Sequence, residues 1–200
     1  MSAGAHLAFL PPATLADLQA RYAESQRHYH TWDHIEELFA RYEEFAAVLR
    51  DARAVALAIA FHDAVYDPMR SDNEPLSAAL LKEAGGGEAR ASVAAAMEMI
   101  EATKSHTPPT GAACDLDDAL LFLDADLSIL GADQARFDEY EAQVRKEYAF
   151  APGAAFTAGR AAILKRFLER PTLYFTDWGR RRFETQARAN LRRSLSKVWA

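Results

Sequence analysis

Apolar residues recur at spacings of three and four along nearly the whole 200-residue chain, and no run alternates apolar with polar over a strand's length. With Ala, Leu, Arg and Glu dominating, that patterning restricts the chain to helices packed on helices. Clusters of Pro, Gly and polar residues end those helices at "LPPAT" (10–14), "DPMRSDNEP" (67–75), "AGGGE" (84–88), "SHTPPTGAA" (105–113), "FAPGA" (150–154) and "RPTLYFTD" (170–177). The expectation is an all-α, single-domain bundle of seven to nine helices over 1–200, with C-terminal helices 132–200 packing on the part before them. Pro68 and Pro75 are expected to bracket a surface loop.

Cys114 is the only cysteine, so no internal disulfide can form, and a reducing, cytoplasmic setting is the natural expectation. No basic start followed by an apolar run marks a secretory signal, and the longest apolar run, "AVALAIAF" (54–61), is too short to span a bilayer. The net charge is −6, yet residues 160–197 hold eleven Lys or Arg against three acidic residues. A basic helix lying on an acidic body accounts for that asymmetry, and the acidic whole argues against nucleic acid as partner.

One helix shows how far the periodicity reaches. Asp33 followed by Glu36 forms a capping-box pattern, and Ile35, Leu38, Phe39, Tyr42, Phe45, Ala46 and Leu49 then make one apolar face. His34 sits on the margin of that face in the first turn and points inward, while His30 falls on the approach loop. A second helix, with Val55, Leu57, Ile59 and Phe61 among alanines, is apolar all round and so belongs in the middle of the bundle. Its end delivers His62 and Asp63. A carboxylate there meets the negative end of the macrodipole and requires a positive partner, either an arginine or a divalent cation. On a helical wheel of "DLDDALLFLDADLSILG", Asp126 falls inside the apolar arc between Phe122, Leu123 and Leu130, whereas Asp124 falls outside it, toward solvent or a supporting position. His34, His62, Asp63 and Asp126 are thus four inward groups. Two imidazoles and two carboxylates suit one divalent ion such as Mn, Mg, Fe, Co, Ni or Zn.

Three blocks of this kind carry a resemblance. "HYHTWDHI" (28–35) resembles the "YHNWRHA" type of segment in cyclic-nucleotide phosphodiesterases, and "ADLS" (125–128) resembles the segment holding those enzymes' last metal aspartate. "HDAVYDP" (62–68) is similar to the "HDTVEDT" of the (p)ppGpp hydrolases, and "ATKSH" (102–106) loosely resembles their "VTK". Over about 28–131 the chain resembles the HD superfamily of metal-dependent phosphohydrolases, with its His…His-Asp…Asp pattern. The resemblance implies an HD-type fold with His34, His62, Asp63 and Asp126 as metal ligands and Asp63 able to bridge to a second ion. It also implies His30 as the donor of a proton to the leaving oxygen and Asp67 as a carboxylate that orients the attacking water. Lys104 and His106 are the candidates for binding substrate.

The chain departs from both patterns. Tyr66 stands where "HDTVEDT" has glutamate, the second histidine of the phosphodiesterase "HDVDHPG" segment is missing, and only His106 lies between the His-Asp pair and Asp126. One firmly held metal is therefore expected, with a second weak or absent. Arg160, Lys165 and Arg166 are further cations able to neutralise a phosphate. The expected function is hydrolysis of a phosphate ester in a small, nucleotide-like molecule by metal-activated water. Two alternatives differ in class: a metal-holding module that senses a nucleotide without turnover, and an HD-type di-iron oxygenase.

Overall fold

A computed structural model describes residues 2–85 and 87–198, so Gly86 of the "AGGGE" break lies outside the described residues. The fold is all-α, with ten α-helices and two short 3-10 turns, and no strand among the described residues. No helix there is long and apolar enough to cross a membrane. The chain divides between Ala125 and Asp126 into two compact units.

The first unit contains α1 (Ala3–His6), α2 (Pro12–Tyr22), α3 (Trp32–Phe45), α4 (Ala52–Phe61), α5 (Asn73–Ala84), α6 (Arg90–Thr103) and all but the last residue of α7 (Leu116–Asp126). Its centre is α4, in which every residue from Ala54 to Phe61 is buried. The alanines let α3, α5 and α6 approach its axis closely, and all three pack against it. Burying Leu57, Ile59 and Phe61 contributes roughly 1.5–3 kcal/mol per side chain. On α3 the apolar face is as its periodicity demands, with Ile35, Leu38, Phe39, Tyr42 and Phe45 all buried.

The start of α3 differs from the capping-box expectation. Thr31, in extended conformation, is the N-cap, and its carbonyl accepts the His34 N–H at 3.1 Å. Asp33 is therefore already inside the first turn. Glu36 is drawn away from any reciprocal cap because its Oε2 accepts the Ala3 N–H at 2.7 Å. The loop after α4 is also shorter than expected: α5 begins at Asn73 and accommodates Pro75 in its first turn, where a missing N–H does no harm.

In the second unit, α10 (Asp177–Val198) packs against α9 (Gly153–Leu168) and against the 3-10 turn Leu127–Gly131, which also meets α8 (Gln134–Glu147). Gly131 allows the approach of α10, since a Cβ there would lie 2.8 Å from Phe183 Cα. Two of the basic tail residues are paired within this unit, Arg188 with Glu184 one turn away on α10 and Arg193 with Asp138 on α8.

Candidate metal centre

Two helix ends assemble the first unit's polar cluster. His34 is the third residue of α3, where its ring turns inward beside Tyr29, 4.8 Å between centroids. His62 closes α4, its N–H still bonded to the Ala58 carbonyl at 2.9 Å. Asp63 follows immediately. His34 Nε2 lies 3.3 Å from His62 Nε2, His62 Nε2 lies 2.9 Å from Asp63 Oδ2, and His34 Nε2 lies 4.0 Å from the same oxygen. One ligand atom from each residue falls within 4.8 Å of the others. The imidazoles are almost fully buried, while the Asp63 side chain retains 18% exposure and forms the open side of the cluster.

The electrostatics follow from one further bond. His62 Nδ1 lies 3.0 Å from the Ile59 carbonyl, and a carbonyl only accepts, so Nδ1 carries the hydrogen. In the neutral ring Nε2 is then a lone pair, and it faces a carboxylate oxygen and a second imidazole nitrogen. Such a set needs a positive charge among its members, either a proton or a metal ion. The donor chemistry fits a divalent ion. Metal–donor bonds of about 2.1 Å place neighbouring ligand atoms about 3.0–3.4 Å apart and opposite ones about 4.2 Å apart. The three separations found here, 2.9, 3.3 and 4.0 Å, come close to those values. A backbone carbonyl on the far ring nitrogen is also the usual support for a metal-binding histidine.

The sequence calls for a positive partner at the end of α4, and Arg27 brings a guanidinium there, but to the Asp63 backbone carbonyl, through Nη1 at 2.7 Å, and not to its carboxylate, which faces His62 Nε2. Arg27 was not foreseen, because it sits in the polar stretch "AESQRHYH", which carries no periodic signal for burial.

His30 lies on the loop before α3, as expected, half-buried, with its ring stacked on Tyr66 (4.1 Å, 29°) and 6.2 Å from the His34 ring. Asp67 holds a turn: its Oδ1 accepts the Met69 N–H at 2.9 Å, and Asn73 grips both its N–H and its carbonyl. Lys104 is exposed at the end of α6 and donates to the Ser71 carbonyl. His106 reverses the chain after α6 with φ 47°, a left-handed conformation that histidine adopts more readily than most residues. Asp126 is half-buried and opens the second unit. Asp124 is fully buried, which removes the solvent-facing one of the two places expected for it. Of the cations expected to meet a phosphate, Arg160 is largely buried and paired with Glu141.

Cys114 is no activated nucleophile. Burial, with the Glu98 carboxylate beside it, pushes its thiol up to about 11. Its reaction with iodoacetamide at pH 8 is expected to be at least about tenfold slower than that of a free cysteine, and to go on rising with pH until about 11. Alkylation faster than free cysteine would reverse that assignment.

In comparisons with protein-family models, with curated proteins and with solved structures, nothing matches the chain.

Proposed function

We propose that the chain is a metal-dependent phosphohydrolase of the HD type, cleaving a phosphate ester of a small, nucleotide-like molecule in a cytoplasmic setting. The observation that carries this reading is the convergence of His34 Nε2, His62 Nε2 and Asp63 Oδ2 within 4.8 Å. The order of the blocks "HYHTWDHI" and "HDAVYDP" adds the resemblance to that superfamily. A divalent ion, when bound, would supply a lowered pKa for water and polarisation of a phosphoryl oxygen. The protein groups do the rest. His62, fixed in one tautomer by Ile59, presents Nε2 without rotamer search, and buried His34 presents its own Nε2 beside it. Asp63 contributes the negative charge that makes the set select a cation. His30, at the half-exposed edge, holds a proton for the departing oxygen, a role suited to imidazole near neutral pH.

The test is hydrolysis of a panel of phosphomonoesters, cyclic diesters and pyrophosphates by protein loaded in turn with Mn, Mg, Co, Ni, Zn or Fe. Product from none of them with any metal would end this reading. His30→Ala is expected to slow turnover roughly 100-fold while metal content per chain stays unchanged. Loss of metal in that variant would instead make His30 a ligand.

A second reading is favoured by Asp67, whose Oδ1 is committed to the turn at Met69. In that reading the chain senses a nucleotide without hydrolysing it, and tight nucleotide binding with no product would support it.

A further inference from the structure

The geometry points to Arg27 as a positioning residue that sets where His30 stands relative to the His34–His62–Asp63 cluster, an inference that rests on the hydrolytic reading above. Arg27 is 5% exposed. Burying a guanidinium is costly unless its donors are used, and here they are used in an unusual way. Only Nε reaches an acid, Glu24 Oε2 at 3.2 Å on the exposed side. The inner edge goes to carbonyls of two separate segments: Nη1 to His30 at 3.1 Å and to Asp63 at 2.7 Å, and Nη2 to Ala64 at 3.1 Å. One planar group therefore ties the loop carrying the proton donor to the turn carrying the carboxylate ligand.

The same residue also reaches the His30 ring. The Arg27 guanidinium lies 5.5 Å from the Tyr66 ring centre, and Tyr66 stacks on His30 at 4.1 Å. His30 is thus fixed twice, at its carbonyl directly and at its ring through Tyr66. An aromatic ring at position 66, where the (p)ppGpp hydrolase pattern has glutamate, makes that stack available. The positive guanidinium also sits at the negative end of α4, which favours it there. Scaffolding alone requires a cation at a helix end; it does not require the same cation to hold the catalytic loop. A proton donor misplaced by about 1 Å loses about two orders of magnitude in rate, so this bridge bears on the proton-transfer step above all.

The test separates protonation of the leaving group from everything else. Arg27→Lys keeps the charge but replaces a rigid fork by a point charge on a flexible stem. Matched 4-nitrophenyl and ethyl esters of the same phosphate are compared, because nitrophenolate departs without a proton and ethoxide does not. Arg27→Lys is expected to keep the wild-type circular dichroism spectrum and metal content. It should lose roughly 100-fold in kcat on the ethyl ester and less than about threefold on the nitrophenyl ester. Added to His30→Ala, it should cost nothing further on the ethyl ester, since both act on one step. Equal losses on the two esters, or losses that multiply in the double variant, would overturn the inference and leave the hydrolytic reading intact. Should Arg27→Lys fail to fold, Tyr66→Leu keeps every Arg27 hydrogen bond named above and removes the ring behind His30. It must show the same split between esters, and equal losses there overturn the inference too. The ester pair is built on whichever phosphate of the panel above the wild type hydrolyses, and a wild type that hydrolyses no member of that panel with any metal ends the hydrolytic reading and this inference with it.

Discussion

Asp63→Ala is expected to yield a folded chain that retains almost no metal and turns over no substrate, against close to one transition metal per chain in the wild type. Asp63 supplies the only negative charge among the three clustered groups, 2.9 Å from one imidazole nitrogen and 4.0 Å from the other. Without it, two neutral imidazoles remain, and they hold a hydrated divalent ion far more weakly. Residues that merely support a ligand contribute about 10–100-fold in metal affinity, so loss of an anionic ligand should exceed that range. The fold is expected to survive for a specific reason. Asp63 bonds to Arg27 through its backbone carbonyl, which the substitution leaves in place, and its side chain is partly open to solvent. Mass-spectrometric metal content of both proteins, purified identically without chelator or affinity tag, decides the matter. Stoichiometric metal in the variant would remove Asp63 from the site. A wild type that holds none of the added ions would leave "HYHTWDHI" as structure alone.

The parts of this site that were legible in the sequence are those governed by helical period. A face of Ile35, Leu38, Phe39, Tyr42 and Phe45 forces His34 inward whatever the neighbours are, and an all-apolar α4 forces its end, and so His62, into the interior. The illegible parts are those where a distant group takes over a local role. Glu36 left the capping box because the chain's own start, at Ala3, offered a donor. Arg27 gave no signal because its partners are backbone carbonyls, which every sequence contains. The wheel over 116–131 drew its apolar arc off the buried side because it took Leu116 and Leu120 as inward, left out Leu121, which is buried, and continued 100° per residue past Asp126, where the chain tightens into a 3-10 turn. Leu116 is in fact 51% exposed, while Asp118 and Asp124 are fully buried.

Asp118→Ala is expected to destabilise the protein by about 3–4 kcal/mol, and this follows from how α3 gives way to α4. The connection, residues 46–51, contains neither Gly nor Pro and gave no break in the sequence. It turns instead through a 3-10 segment, Ala46–Val48, and its last two N–H groups find their acceptor on a different helix. Asp118 Oδ1 and Oδ2 take the Arg50 N–H at 3.0 and 3.1 Å, and Oδ2 takes the Asp51 N–H at 2.7 Å. Asp51 in turn caps α4 by accepting from Ala54 and bonds Ser92 on α6, so the start of α4 is held from two sides. Truncating Asp118 strands two partly buried donors and opens a cavity, where each stranded donor alone costs about 1–3 kcal/mol. For a chain of this length that corresponds to a fall in Tm of roughly 6–16 °C. Asp118→Asn keeps one acceptor oxygen of the same shape and should lose about half as much. Leu116→Ala, two residues away on the face that the wheel took as buried, should change stability by no more than about 0.5 kcal/mol. Thermal and urea unfolding of the three variants separates the two pictures of α7. If Leu116→Ala proved the costly change and Asp118→Ala the mild one, the wheel's orientation would be restored. The start of α4, and with it the His62–Asp63 end of that helix, would then have to be held by something other than Asp118.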